Sequence, residues 1–209
     1  MSCLRPGGLE LTRHALSFVP VEPESRLVDI GCGNGESLAM IREEYGCQVA
    51  AIEPDTKRRE QALANNPGVE IALASAEDLP FEAATFDIAL AECSVSLFMQ
   101  PAVALNEIHR VLMPGGKLII TDTYARNAVG ICGEGMIRQL YSVNQFRSML
   151  TAASFNLMHA EDCGEILKTM LGQMILDYGK DEAYRRLGLD RCALRQAGAG
   201  YLLLVAEAR

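Results

Sequence analysis

The stretch VDIGCGNG, residues 28–35, decides the fold. It ends a short apolar segment at residues 26–30, which predicts a buried β-strand, and it continues into three alternating glycines. Glycine allows the backbone to bend tightly and to approach a ligand closely. A helix that begins after Gly35 would add free backbone N–H groups. The stretch therefore predicts a strand, a tight turn and a helix, with a ligand site between them.

Strand-like and helix-like segments alternate on both sides of this turn. Further strands are predicted at residues 48–53, 69–74, 85–92, 117–123, 156–160 and 201–206, and helices at 36–45, 55–65, 101–112, 143–153, 165–178 and 181–187. Residues 127–141 contain three glycines and are predicted to form an inserted loop with a short helix. Alternating strands and helices predict one α/β domain over residues 1–209, with a largely parallel sheet covered by helices on both faces.

Composition narrows the class of protein. The 209 residues carry a formal net charge of −8, which disfavours nucleic acid as a partner because phosphates attract a surplus of Lys and Arg. No apolar run reaches the roughly 18–20 residues of a membrane span, and the first residues lack the apolar stretch of a signal peptide. We therefore expect a cytoplasmic protein without a membrane partner. The seven cysteines include no CxxC pair, so no metal site is predicted.

Acidic residues around the glycines indicate the kind of ligand. A dinucleotide site would carry a third glycine where Glu36 stands, and an acid there would repel a pyrophosphate. Asp29 lies just before the turn and favours a cationic or donor-rich ligand, while Glu53 ends the second strand and can accept hydrogen bonds from both hydroxyls of a ribose. Glycines that only form a tight strand-to-helix turn are the structural alternative.

Four motifs in succession resemble class I S-adenosylmethionine-dependent methyltransferases of the type 11 branch, which includes quinone-biosynthesis and arsenite methyltransferases. They are VDIGCGNG at residues 28–35, AEDLPF at 76–81, FD at 86–87 and EIHRVLMPGG at 107–116. The resemblance covers about residues 20–125. It implies a Rossmann-like, seven-stranded, mostly parallel sheet with a last antiparallel strand, and S-adenosylmethionine as the cofactor.

The resemblance also implies a set of cofactor-binding residues. They are Asp29, Gly31, Cys32, Gly33, Gly35, Glu53, Pro54, Ser75, Ala76, Glu77, Glu92, Cys93 and, from the N-terminal cap segment at residues 1–25, Thr12. In the family, the pocket around Ala76 and Glu77 holds the adenine, and Ser75 stands where an aspartate is common. Thr12 and the nearby Arg5 and Arg13 are expected to meet the cofactor carboxylate, unless this segment is an ordinary helix start.

Two pairs of residues are candidates for contact with the methyl acceptor. Asp122 and Tyr124 end the predicted fifth strand, where they contact the substrate or simply make the strand end polar. Cys93 and Cys132 occupy places that resemble those of the cysteines that bind trivalent metalloid in arsenite methyltransferases. A further cysteine of those enzymes, near the start of the first helix, is missing. Cys93 as a small pocket-lining residue and Cys132 as a loop residue are the alternatives.

The function predicted from the sequence is in-line methyl transfer to a small molecule. The rate of such a transfer depends mainly on correct placement of the acceptor. The region at residues 127–200 is predicted to supply substrate-side insertions. A metalloid or thiol methyltransferase that uses Cys93 and Cys132 is one alternative. A non-catalytic protein that binds S-adenosylmethionine is another, and an RNA or protein methyltransferase is disfavoured by the charge and motifs.

Overall fold

The computed structural model describes residues 5–127, 131–132, 138–188 and 191–209, and only the backbone of residues 131–132. Its strands are Arg26–Ile30 (β1), Gln48–Ile52 (β2), Glu70–Ala72 (β3), Phe86–Glu92 (β4), Leu112–Ala125 (β5), Ile131–Cys132 (β6), Gln139–Ser142 (β7), Phe155–Asp162 (β8) and Ala199–Ala208 (β9). Its α-helices are Gly8–Leu16 (α1), Glu36–Tyr45 (α2), Thr56–Asn65 (α3), Pro101–Val111 (α4), Val143–Ala152 (α5), Gly164–Tyr178 (α6), Lys180–Leu187 (α7) and Arg191–Ala197 (α8).

Seven strands of the nine-stranded sheet in the described part of the chain form the predicted arrangement. Strands β3, β2, β1, β4 and β5 lie in that order and are parallel. Strand β9 pairs antiparallel with the other edge of β5, and β8 pairs antiparallel with β9. The α/β fold with a mostly parallel sheet and a last antiparallel strand is thereby confirmed.

Helices cover both faces of the sheet, as predicted. On one face, the side chains of Leu27 and Leu90 pack in a buried cluster with residues of α1, α2 and α6. On the other face, Val28 and Ile30 pack with residues of α4 and α5. Neighbouring strand residues point to opposite faces, so a strand buried on both sides reads as a continuous apolar run. This explains the apolar character of residues 26–30.

The strand order reverses direction beside β1. From β1 the chain moves outward to β2 and β3, and then returns to β4 on the other side of β1. Ligands of open parallel sheets bind beyond the carboxyl ends of the strands at such a point. The turn at residues 31–35 follows β1 directly and lies at this position.

The structure corrects the start of one predicted strand and adds one helix. Strand β5 begins at Leu112 rather than at residue 117, because the Pro114–Gly116 segment forms a bulge within the strand. Between the paired positions Phe86↔Leu112 and Ile88↔Lys117, β4 advances two residues while β5 advances five. Helix α8 was not predicted, because its seven residues are too few to show a clear helical pattern of apolar side chains.

The predicted loop with a short helix at residues 127–141 is wrong for the part that the structure describes. There the chain forms an antiparallel pair, β6 with β7, and β7 continues the sheet by pairing parallel with the end of β5. Residues 128–130 and 133–137 lie outside the described ranges. No helix in the described part of the chain is long and apolar enough to cross a membrane.

Candidate active site

Two glycines of the turn after β1 are needed for different reasons. Gly33 and Gly35 have φ angles of 59° and 79°, in the left-handed region that favours glycine. A Cβ on Gly35 would lie 2.4 Å from the side-chain amide of Asn66, whereas one on Gly33 would meet nothing within 4 Å. Gly35 is therefore required for packing against α3, and Gly33 leaves room for a ligand.

The Glu53 carboxylate is held in place by backbone N–H groups. Its Oε2 accepts from Gly33 N at 2.8 Å, and its Oε1 accepts from Asp55 N at 2.9 Å. The side chain is buried, and Pro54 beside it is exposed. Each carboxylate oxygen retains a further lone pair. Glu53 is thus fixed beside the glycine turn and can still accept hydrogen bonds from a ligand.

Asp29 lies buried beneath the same turn. Burial, reinforced by the negative charge of Glu92, raises the pKa of Asp29 to about 8, although the charge of Arg5 lowers it. Cys32 is also buried, and its side chain packs with Leu38 and other residues under α2 and α3. Burial raises the pKa of the Cys32 thiol. Cys32 therefore contributes its backbone to the turn, while Asp29 contributes a buried carboxyl group that keeps its proton up to about pH 8.

Glu92 joins the end of β4 to the N-terminal segment. Its carboxylate forms an ion pair with Arg5 and accepts hydrogen bonds from Thr12 Oγ1 at 3.0 Å and Ser37 Oγ at 3.2 Å. Arg5 also donates to Thr12 Oγ1 at 2.6 Å. The structure thus places Thr12 in a helix and in contact with a protein carboxylate, where we had expected a cofactor carboxylate.

Cys93 has a strained backbone and a thiol directed at the protein. Its φ is 52°, its N–H donates to Thr121 O at 2.7 Å, and its Sγ lies 2.9 Å from Tyr201 Oη. Burial raises the pKa of the Cys93 thiol. The side chain of Cys132, its predicted partner, lies outside the described residues, so their convergence stays a prediction.

Asp122 and Tyr124 both contact protein groups. Asp122 is buried, and its carboxylate accepts from Ser96 N at 2.8 Å and Thr123 N at 2.7 Å. It thereby holds the 3-10 helix Val95–Leu97, which follows β4. The Arg126 guanidinium lies over the Tyr124 ring, 5.3 Å from its centroid. Burial raises the pKa values of Asp122 and Tyr124.

The segment expected to hold the adenine is fixed by Glu77. Its Oε1 accepts from Met99 N at 2.8 Å and from Gln100 N at 3.1 Å. Burial raises the pKa of Glu77, but these backbone bonds and the Ser75 hydroxyl lower it below its ordinary value. Ala76 is buried in the core and Ser75 is exposed. Glu77 thus connects this segment to the start of α4.

Sequence reasoning missed three residues that the structure brings to this edge. Ser37 reaches Glu92, and Tyr201 reaches Cys93. Ser94 lies against the turn: its Cβ would be 3.3 Å from a Cβ on Gly31, and its hydroxyl is buried without a hydrogen-bond partner in the described structure. Ser37 and Ser94 adjoin recognised motifs, but no periodicity or spacing distinguishes them from ordinary serines.

Comparison with known proteins identifies the same domain. A family model described as "Methyltransferase domain" matches residues 28–120. A glycine/sarcosine/dimethylglycine N-methyltransferase from Actinopolyspora halophila is 27% identical over 75% of this chain and 30% of its own length. An O-methyltransferase from Pyrenophora dematioidea is 26% identical over 94% of this chain and 80% of its own length. The chain therefore spans about a third of the first relative and about four-fifths of the second.

A solved structure shares the fold across nearly the whole chain. Geranyl diphosphate methyltransferase in complex with S-adenosylmethionine has a TM-score of 0.80 at 18% identity, covering 97% of this chain and 86% of its own. Together with the family-model match and the two sequence relatives, this likeness confirms the methyltransferase resemblance. Residues 28–120 match the type 11 methyltransferase domain, as the motifs predicted, and the sequence relatives and the solved structure named here are methyltransferases.

Proposed function

We propose that this protein transfers a methyl group from S-adenosylmethionine to a small molecule. The observation that carries the proposal is the fixed pair of Gly33 and Glu53. The N–H of Gly33 orients the Glu53 carboxylate at 2.8 Å, and the space above Gly33 is open. A buried carboxylate beside an open glycine turn suits a ribose, whose two hydroxyls donate to the carboxylate oxygens.

The charges at this edge fit the cofactor. Asp29, Glu53 and Glu92 are buried acidic residues around the turn, and acidic residues there favour a ligand with a sulfonium and an ammonium group over one with a pyrophosphate. The buried Ser94 hydroxyl beside Gly31 has an unused donor and acceptor in the described structure. A polar ligand group would satisfy it, since buried polar atoms are nearly always hydrogen-bonded.

Positioning is the main contribution of the protein side chains. The cofactor supplies a methyl group that is already activated on a sulfonium. The protein's own residues bind and orient the cofactor. Glu53 and Asp29 lie on the side of the glycine turn, and Glu92 bonds to the N-terminal segment. Asp122 holds the 3-10 helix through backbone N–H groups, so we assign it a positioning role.

The acceptor proposed is an ordinary small molecule. A metalloid acceptor would need thiolates, and the Cys93 thiol instead faces Tyr201 with a raised pKa. Nucleic acid is disfavoured by the net charge of −8. Among the described residues, no group of three or more His, Cys, Asp or Glu side chains is arranged to hold a metal ion.

Calorimetry followed by a turnover assay tests the proposal. We expect the full chain to bind S-adenosylmethionine and S-adenosylhomocysteine, but not NAD⁺. Labelled S-adenosylmethionine should then transfer its methyl group to a member of an acceptor panel containing amines, phenols, small thiols and arsenite. Binding without turnover on the whole panel would favour the non-catalytic alternative. Absence of binding would overturn the proposal.

A further inference from the structure

A groove of about 980 Å³ lies between α1 and α6, away from the glycine turn itself. Its apolar lining includes Leu11 of α1 and Ile166, Met170 and Met174 of α6. Small-molecule sites commonly measure about 300–1,000 Å³ and are mostly apolar. The groove is therefore large enough for a small organic molecule, and it is not used by the cofactor-binding residues described above.

The groove opens at the same edge of the sheet as the glycine turn. Helix α6 begins just beyond the carboxyl end of β8, and its Met174 packs in a cluster with Ala125 at the end of β5. On the opposite wall, Leu11 lines the groove while its neighbour Thr12 bonds to Glu92. One helix thus has one side on the groove and another on the candidate active site.

The floor of the groove suits an apolar ligand of irregular shape. Ile166, Met170 and Cys93 pack against the same buried cluster, which contains Leu11 and Tyr201. The buried cluster beneath the groove therefore extends to Cys93, the residue after Glu92. Methionine side chains are flexible and polarizable, so they adapt to ligands of different shape.

The charged groups around the groove are mainly acidic. Three carboxylates line it, Glu10, Glu165 and Asp177, against the single guanidinium of Arg186. Arg186 already lies 3.9 Å over the Tyr178 ring and donates to Glu182 at 2.8 Å. The lining carboxylates would thus repel an anionic ligand. Among the described lining residues, the guanidinium of Arg186 is already engaged by Tyr178 and Glu182.

The imidazole of His14, which also lines the groove, has a partner too. His14 Nε2 lies 2.9 Å from Glu161 Oε2. Of the three lining carboxylates, Glu10 accepts from Arg13 at 2.6 Å and Glu165 accepts from Lys168 at 2.5 Å, whereas Asp177 accepts from the neutral amide of Gln173 at 2.7 Å. Among the described residues, Asp177 is therefore bonded to a neutral group at the rim rather than to a cation.

We propose that this groove binds the methyl acceptor and that the acceptor is an apolar amine, in preference to a phosphate ester or a carboxylic acid. The inference rests on the proposed function and deepens it by naming the acceptor's site and chemical class. The apolar floor receives the carbon skeleton, the acidic rim attracts the ammonium group, and the inner end brings the molecule toward Glu92.

Matched probes test both the site and the charge preference. We would titrate the full chain with 1-naphthylmethylamine and with 1-naphthoate by calorimetry, each with and without saturating S-adenosylhomocysteine. The two probes share an aromatic body and differ in charge. The amine should bind at least about tenfold more tightly than the acid, which corresponds to about 1.4 kcal/mol.

Variants on α6 locate the binding site. Thr169 and Gln173 are exposed and line the groove, so Thr169→Trp and Gln173→Trp should each fill it and weaken amine binding at least about tenfold. Leu176 is exposed on the same helix but does not line the groove, and Leu176→Trp serves as the control with unchanged binding. Asp177→Lys should reduce the preference for the amine severalfold.

The outcomes separate this inference from the proposed function. Titration of S-adenosylhomocysteine alone measures the cofactor site and should give the same affinity in every variant. If the cofactor binds but the amine does not, or binds no better than the acid, the groove inference is overturned while the proposed function stands. Unweakened amine binding in both tryptophan variants would also overturn it. Failure of the cofactor to bind would count against the proposed function instead.

Discussion

The thiol of Cys93 lies 2.9 Å from the hydroxyl of Tyr201, although the two residues are 108 positions apart in the chain. Tyr201 is fully buried and also donates to Thr121 Oγ1 at 3.2 Å. The contact joins the turn after β4 to the antiparallel strand β9. It thereby supports the strained backbone at Cys93 and fixes the position of Glu92 and Ser94 on either side.

The first prediction concerns the reactivity of Cys93. Because its thiol is hydrogen-bonded and burial raises its pKa, we expect slow alkylation by iodoacetamide at pH 8, since the thiolate is the reactive form. Cys192 is exposed on α8 and is the internal comparison. Mass spectrometry should find Cys192 modified well before Cys93. If Cys93 were modified faster than Cys192, the result would favour a metalloid acceptor instead.

The second prediction concerns Glu53. Replacing Glu53 with Gln leaves the size of the side chain but removes its charge and one acceptor. We expect the affinity for S-adenosylmethionine to fall by about 1–3 kcal/mol, the usual cost of losing a hydrogen bond to a charged group. Calorimetry measures the change. Glu60→Gln, at an exposed position on α3, is the control, and equal affinities of the two variants would contradict the ribose assignment.

The third prediction follows from the raised pKa of Asp29. In the folded protein this pKa is about 8 against an ordinary value of 3.8. Between these values the unfolded chain loses the proton while the folded protein keeps it, so the contribution of Asp29 to stability decreases as pH rises from about 4 to about 8. Asp29→Asn should remove this decrease, as measured by urea denaturation across that range.

The carboxyl group of Asp29 should also link cofactor binding to proton release. A cationic ligand beside Asp29 favours the carboxylate, so binding of S-adenosylmethionine at pH 7 should release a proton and should strengthen as pH approaches 8. Calorimetry in buffers of different ionisation enthalpy measures the released fraction. The Asp29→Asn variant should lack this component. An equal proton release in parent and variant would assign it to another group.

The fourth prediction concerns the ion pair of Arg5 and Glu92, whose side chains are only 11% and 4% exposed. Arg5→Ala leaves a buried carboxylate without its cation, and we expect a loss of about 3–5 kcal/mol in unfolding free energy. Arg13→Ala removes solvent-exposed pairs with Glu10 and Glu44 and should cost far less, because water screens exposed ion pairs. Similar losses in both variants would show that the N-terminal segment is not fastened through Glu92.

The fifth prediction compares two glycines with similar backbone angles. Gly33 and Gly46 have φ values of 59° and 69°, and a Cβ on either would meet nothing within 4 Å. Replacement by Ala should destabilise both by about 1–2 kcal/mol, the cost of a left-handed residue with a Cβ. Only Gly33→Ala should also weaken cofactor binding, because Gly46 ends α2, away from the turn. Thermal unfolding and calorimetry separate the two effects.

The sequence by itself determined the sheet, the glycine turn and the class of cofactor. Strands and helices of residues 26–123 follow local periodicity, and the turn residues Asp29 to Gly35 are contiguous, so their chemistry is readable from spacing alone. The described part of residues 127–141 differs from the prediction because β7 pairs with both β6 and the end of β5, and local pattern does not encode such partners.

Only the tertiary structure decided what the polar side chains contact. Cys93, predicted as an acceptor ligand, faces Tyr201, and Thr12, predicted for the cofactor, bonds to Glu92. Spacing along the chain assigns a residue to an edge of the sheet, but the direction of a side chain depends on backbone angles and on partners 80 or more positions away. The groove between α1 and α6 arises in the same way, because its two walls are brought together only by packing of the folded chain.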